Sequence, residues 1–385
     1  LYVATNGNDA NLGTDLSSPF ATLSHALTKI NCPSTTISIA AGTYNEDLLD
    51  LTSDHEGVSI VGSGMGSTVF QQSGSGDHFM EIKSGATDIT ISNMTIRGYD
   101  ENNDGGAIDI STGIISFYDV HFDNNKTTSS YDEGGAVFAS DGCDKLVFER
   151  CKFSNNESYN HSYSEGSCIY SEADTLNIYN CLFYNNTTYN GTRSGHVYID
   201  DGTASIANCT FSNNFSGSPL YLYDDNGTPT EIKNCIFYNN SSSYDIYEKY
   251  TSSPYPTISF TYYESRTGGF NTGNEIGNLN SGLVGFVSSA NNNFNLLPNS
   301  ICINAGDNTN APLNDLNNQN RVVGGDIDLG AFEFQDFNMW TGQTSTAWSE
   351  PTNWSLGVIP TSSHLAYISS ASNDPIVDIP NASCS

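Results

Sequence analysis

The sequence predicts an all-β protein, a right-handed parallel β-helix with three short strands per rung, and three observations carry that prediction. A string of one cysteine, one phenylalanine and paired asparagines returns in fixed order, as RCKFSNN (Arg150–Asn156), NCLFYNN (Asn180–Asn186), NCTFSNN (Asn208–Asn214) and NCIFYNN (Asn234–Asn240). Its spacing, 30 residues from Phe153 to Phe183, then 28 to Phe211 and 26 to Phe237, is that of stacked supersecondary units. Within each unit the apolar positions keep a 2–3–2 spacing: Ile89, Ile91, Met94, Ile96; Ile115, Phe117, Val120, Phe122; Leu146, Phe148, Cys151, Phe153; Leu176, Ile178, Cys181, Phe183; Ala204, Ile206, Cys209, Phe211; Thr230, Ile232, Cys235, Phe237. Steps of two put side chains on one face of a strand, and the single step of three requires a bend or bulge. A helix would need steps of three and four throughout.

The elements follow in chain order. SSPFATLSHALTKI (17–30) places Phe20, Leu23, Ala26, Leu27 and Ile30 on one helical face, after a serine and a proline suited to a helix start. A solenoid must cover its open ends, so this segment reads as an N-terminal cap helix. TISIAAGTYNEDL and VSIVGSGMGSTVF are the first, less regular rungs, and residues 89–250 the regular ones. After each variable loop comes a third strand: GGAIDI, GGAVFA, GSCIYS, GHVYID and SPLYLY. Cys and Phe are expected to stack inward on their counterparts at about 4.8 Å, the spacing of paired strands, while the asparagine pair turns the corner. Residues 251–336 read as irregular C-terminal rungs and cap, closing a domain of 1–336. Residues 337–385 hold all three tryptophans, Trp340, Trp348 and Trp354, and read as the beginning of an incomplete β-sandwich-like module.

The opening LYVATNGNDANLGTDLSSPFATLSHAL, AAGTYNEDL and the late NRVVGGDIDLGAFEF resemble secreted bacterial β-helix proteins of the choice-of-anchor Q domain type, over roughly residues 1–335. GGAI and GGAV, with FDNN, FSNN and FYNN, are similar to the repeats of polymorphic outer-membrane adhesins. The tryptophan-bearing tail resembles a module of surface proteins exported by the type IX route. These resemblances imply a secreted or cell-surface location and a chain continuous with further C-terminal domains.

Twelve Lys and Arg against 43 Asp and Glu give a net charge of −31, which repels nucleic acids and acidic membranes at long range. No apolar run is long enough to span a membrane. The nine cysteines form no CxxC pair, so neither a zinc module nor a complete disulfide framework is indicated, and the ladder cysteines read as small buried hydrophobes.

Parallel β-helices host polysaccharide lyases and hydrolases, but fold alone does not decide activity. A lyase needs a basic residue, and Arg150, Lys152, Arg193 and Lys233 show no convergence; Lys152 and Lys233 flank inward cysteines and so face outward. Asp200 and Asp201 follow His196 in an order unlike the polygalacturonase one, and read as a solvated strand end. Asp100 and Asp104 in YDENNDGG, with Asp224 and Asp225 in YDDNG, offer the hard oxygens that calcium prefers, although such clusters also make turns. Tyr131, Tyr159, Tyr163 and Tyr189 lie in Ser- and Asn-rich loops that leave successive rungs at one corner, as on recognition surfaces. The expected function is therefore a non-catalytic β-helix segment of a larger protein, adhesive or structural, with an extracellular glycan or surface protein as partner. The alternative is a polysaccharide-active enzyme, lyase before hydrolase.

Overall fold

The structure, a computed structural model, describes residues 1–74, 76–129, 132–159, 164–189, 194–223, 230–249, 256–267, 275–323, 325–335, 337–355, 357–360, 365–368 and 373–378. The chain winds as a parallel β-solenoid. The 2–3–2 alignment is its strand register: Leu146 pairs with Leu176 and Leu176 with Ala204, while Phe122 meets Phe153, Phe183, Phe211 and Phe237 in turn. The phenylalanine rings are fully buried and stack at 4.8, 4.7, 4.4 and 4.7 Å between centroids along that column. Cys151, Cys181, Cys209 and Cys235 lie beside them, all buried and unbridged, and burial raises the Cys181 and Cys235 thiols well above their ordinary range.

The step of three is a residue in the left-handed region. Asn93, Asp119, Arg150, Asn180, Asn208 and Asn234 occupy it with φ between 52° and 58°. The first asparagine of each pair repeats the device at Asn124, Asn155, Asn185, Asn213 and Asn239. Asparagine tolerates this conformation better than most residues, which explains its two recurrent places. The second asparagine of each pair does something else. Asn125, Asn156, Asn186 and Asn214 are fully buried, and each donates from Nδ2 to the Oδ1 of the next, at 3.2, 3.1, 3.0 and 3.0 Å, ending on Asn240. Each Oδ1 also accepts the backbone N–H of the asparagine one rung earlier.

Two strand segments flank each left-handed bend, and the third strands form a sheet of eight running from Leu49–Leu51 to Ile246–Glu248. A further set appears that the sequence reading did not contain. Asp100–Glu101, Lys126–Thr127, Glu157–Ser158 and Thr187–Thr188 form two-residue strands just past the asparagine corner. In the rungs where Ile89–Arg97 and Ile114–Asp123 run unbroken through the bend the count stays at three strands, and in the rungs of Glu157–Ser158 and Thr187–Thr188 it rises to four.

The cap helix is shorter than the expected 17–30, covering only Leu23–Leu27. Asp15 holds Ser17 in a turn, and Phe20 bridges Val3 as a strand residue, so the chain turns helical only at the N-cap Thr22. The carboxylates of Asp9 and Glu46 accept the N–H groups of Ala21, Thr22, Leu23 and Ser24 at that end, where the helix has unpaired donors.

Beyond Thr257–Ser259 the chain makes an antiparallel hairpin, Phe286–Ser288 with Asn293–Leu296, and residues 296–323 and 325–335 then return along the outside of the solenoid. We call this segment the strap. Gly330 N donates to Asn234 O, Ala331 N to Thr210 Oγ1 and Asn180 Nδ2 to Asn314 O. Its knot is Arg321, a fully buried guanidinium among Asp315, Asp328 and Glu333, donating to the carbonyls of Asp328 and Gly330. Farther on, Phe337–Trp340 pairs in parallel with Leu365–Ile368, and Trp340, Trp348 and Trp354 form a separate buried cluster.

Candidate binding face

The strand that carries each ladder phenylalanine presents alternate residues outward. In register these make one column: Thr95, His121, Lys152, Leu182, Thr210, Ile236 and Tyr262. Its later half lies under the strap. Leu182 packs with Phe294, Leu316 and Phe332, while Ile236 and Tyr262 pack with Val284, Leu296, Cys302 and Leu329. The earlier half carries no strap, and beside it, on the next outward column of Gln71, Arg97 and Asp123, lies a shallow cavity of about 520 Å³, also lined by Gln72, Gly98, Asn124 and Asn155.

The open half has a defined hydrogen-bond order. Ser154 Oγ lies 2.6 Å from Asp123 Oδ1 and 2.8 Å from His121 Nε2. A hydroxyl has one proton, and the carboxylate can only accept it, so Nε2–H of His121 donates to Ser154. Asn155 Nδ2 adds a 2.8 Å bond to the same carboxylate oxygen. Serine thus sits between acid and imidazole, whereas nucleophilic catalysis needs the imidazole between acid and serine. Ser154, itself fully buried, is a strut and not a nucleophile.

Burial pushes the His121 imidazole below its ordinary value; Asp123 opposes this and Lys152 adds to it. Burial also lowers the Lys152 ammonium. Arg97 is exposed and donates to Gln71 Oε1 at 3.0 Å. Among the described residues neither Arg97 nor Lys152 has a carboxylate within ion-pair reach, whereas Lys83, Lys126, Arg150 and Lys233 are all paired. In a chain with 43 acidic residues, two cations that share a face with a single carboxylate, Asp123, and form no ion pair there stand out.

The structure brings some of the sequence-predicted residues together and not others. Tyr159 and Tyr189, both exposed, meet edge to face with centroids 4.7 Å apart on consecutive rungs. Tyr131 and Tyr163 lie outside the described residues, as do Asp224, Asp225 and Arg193. Asp100 pairs with Lys126 Nζ at 3.0 Å, and Asp104 accepts the Glu133 N–H at 2.7 Å, so each carboxylate is engaged separately. Among the described residues no group of three or more His, Cys, Asp or Glu is placed to hold a metal ion. Lys152 and Lys233 do face outward, but Arg150 is clamped by Asp119 and Glu149, and Lys233 by Asp307. His196 corrects the reading of a solvated strand end. It is fully buried, 2.7 Å from Ser167 Oγ, and burial drives its pKa down to about 3; only the Asp200–Asp201 end reaches solvent. Arg97 and His121 escaped the sequence reading. Their signal was the register itself, which places His121 against Lys152 and Arg97 against Asp123.

The central rungs, residues 81–261, match the family model described as right handed beta helix region. Residues 5–108 match that of a protein of unknown function, DUF1565. No curated protein matches the chain. Among solved structures, a pectate lyase is 17% identical, with 86% of this chain and 96% of that one covered at a TM-score of 0.47. The pectin methylesterase of Aspergillus niger is 12% identical, with 74% and 90% covered at 0.39. At these values neither likeness speaks to the chemistry of this chain.

Proposed function

We propose that the chain is a non-catalytic β-helix segment of a larger secreted or cell-surface protein, and that its open face holds an extended glycan. One observation supports this reading: the outward face of these strands changes from polar and uncovered to apolar and strap-covered, and the uncovered part keeps Lys152 and, on the adjacent column, Arg97 beside a row of amides. Rungs about 4.8 Å apart repeat these groups along a line, which suits a chain of similar units. The solenoid core holds them rigid, lowering the ordering cost of binding. Tyr159 and Tyr189 stand past the asparagine corner as a second contact row. The resemblance to choice-of-anchor Q proteins, adhesin repeats and type IX cargo supports the cell-surface setting. Affinity electrophoresis against pectin, alginate and neutral glucans tests the reading. The Arg97→Ala, Lys152→Ala double variant should weaken retention roughly tenfold while folding normally; unchanged retention overturns it.

A second reading, a polysaccharide lyase, is favoured by one observation, the burial-lowered Lys152 beside a neutral His121. It requires unsaturated products from a uronic polysaccharide, lost in Lys152→Ala. No product from any of these polymers leaves the binding role standing.

A further inference from the structure

A second concavity lies on the other side of the left-handed bends, where the strap leaves a cleft of about 460 Å³ against the solenoid. Its floor includes Tyr179, Asn180 and Asn208, and its far wall Thr309, Ala311 and Pro312. Asn180 is fully buried. Its Nδ2 donates to Asn314 O of the strap at 3.3 Å, which fixes which way the amide points, and its Oδ1 has no hydrogen-bond partner. One rung on, Asn208 Oδ1 accepts from Asn234 Nδ2 at 3.1 Å, so Asn208 Nδ2 is left with no protein partner. An acceptor and a donor, each without a partner, thus stand one rung apart in the same cleft. A buried polar group left unpaired costs about 1–3 kcal/mol, so Asn180 Oδ1 calls for a ligand or water with a matching donor, while Asn208 Nδ2 stands open to the cleft as a donor beside it.

We propose that this cleft binds a neutral, hydroxyl-rich ligand of monosaccharide or disaccharide size. Hydroxyls both donate and accept, so two neighbouring ones satisfy Asn180 Oδ1 and Asn208 Nδ2 together. The half-buried Tyr179 ring, with Ala207, Ala311 and Pro312, supplies the apolar wall against which the C–H face of a sugar packs. Charge selects against an anion. The Lys233 ammonium is held by Asp307 at 2.7 Å and donates to Thr309 O, while Glu231 stands exposed at the rim. The volume lies within the usual range of small-ligand pockets. The site is separate from the open face, being built on the preceding strand and the strap.

Calorimetric titration with galactose, N-acetylglucosamine and cellobiose, and with galacturonate as the anionic counterpart of galactose, tests the proposal. Wild type should bind at least one neutral sugar, and galacturonate more weakly than galactose. Tyr179→Ala should weaken binding roughly tenfold by removing the platform. Asn208→Gly removes the donor yet keeps a residue at ease in the left-handed region, so it decides the matter if Tyr179→Ala folds poorly. Lys152→Leu, on the open face, should leave the titration unchanged. Absence of binding by all three neutral sugars, equal affinity for galacturonate, or wild-type affinity in Asn208→Gly would overturn the site. So would loss of the binding in Lys152→Leu, which would move it to the open face.

Discussion

His121 and Lys152 stand in the same outward column as Leu182 and Ile236, one or a few rungs apart, yet one pair lies uncovered beside a shallow cavity and the other lies beneath the strap. The backbone does not distinguish them, because the register is continuous through both halves. The difference is in side-chain choice alone, and it teaches that the rungs are a neutral support on which cover or exposure is written residue by residue. An apolar outward residue in a solenoid needs a cover, and here the strap supplies it. A polar one needs none, and stays available for a partner.

The largest effect tests whether the two halves share one core. Phe153→Ala, under the open half, and Phe211→Ala, under the covered half, should each cost about 3–5 kcal/mol, because both open a cavity in one continuous stack. Urea unfolding monitored by circular dichroism measures both. A loss confined to Phe211→Ala would mean that the strap and not the ladder stabilises the fold.

Next in size is the exchange that makes a covered position look like an open one. Leu182→Lys places an ammonium between Phe294, Leu316 and Phe332 with no acid assigned to it. A buried unpaired charge costs on the order of 3 kcal/mol or more, unless the strap lifts to let it reach water. Hydrogen exchange distinguishes the two: lifting should expose amides of 313–334 while those of the phenylalanine strands stay protected. Full protection with wild-type stability would contradict the packing assigned to Leu182.

How much of this was legible in the sequence follows from the range of each interaction. The 2–3–2 spacing is a local rule repeated at a fixed period, so register, inward phenylalanines and buried cysteines could all be read from it. The strap could not. Ala331 bonds Thr210 across 121 residues of sequence, and no periodicity links them. The helix was overextended because its apolar face is genuine while Asp15 and the Phe20 bridge, both tertiary facts, claim its first turn. The binding face fell between these cases. The spacing marks Lys152 as outward, but His121 and Arg97 become its neighbours only once the rungs are stacked.

The asparagine pair offers a finer test within a single corner. Asn186→Ala removes a buried amide that links the corner to Asn156 and Asn214 and caps Phe153 O, which should cost about 1–3 kcal/mol. Asn185→Ala leaves that ladder intact. It meets only the left-handed strain of a non-glycine residue and the loss of one bond to Asn292, so it should cost about 1 kcal/mol. Equal losses would show that the ladder amides contribute no more than the corner.

Solution pH should act mainly through buried carboxyls, which the strap holds at Asp328 and Glu333 and the end of the third-strand sheet at Asp245 and Glu248. Burial raises Asp328 and Asp245 to about 6 and Glu333 and Glu248 to about 7. A carboxyl whose folded value lies above its unfolded one binds protons more tightly in the native state. Its stabilisation is present near pH 4 and is lost as pH rises through 6 to 7. The melting temperature should therefore fall between pH 5 and pH 8, and the strap should exchange faster at the alkaline end. A melting temperature that climbs over that interval would show that Arg321 keeps Asp328 and Glu333 charged.

The smallest effect on stability is expected from Lys152→Leu, the reverse exchange, and it separates stability from function most cleanly. Lys152 has no carboxylate partner, and its ammonium is already disfavoured by burial, so removing the charge relieves a desolvation cost. Leucine is the residue one rung on, at Leu182, so the backbone and the stack beneath accept it. The change in unfolding free energy should lie within about 1 kcal/mol of zero, on the stabilising side where the side chain packs against its neighbours. His121 should respond more visibly. With the neighbouring ammonium gone, its imidazole pKa should rise toward the ordinary value, which a proton-resonance titration reads directly. Retention on a glycan gel should fall, since one of the two unpaired cations has been removed from the face. A variant that is equally stable, shows an unmoved His121 and binds as before would mean that the open half is merely uncovered, and that its polarity serves solubility alone.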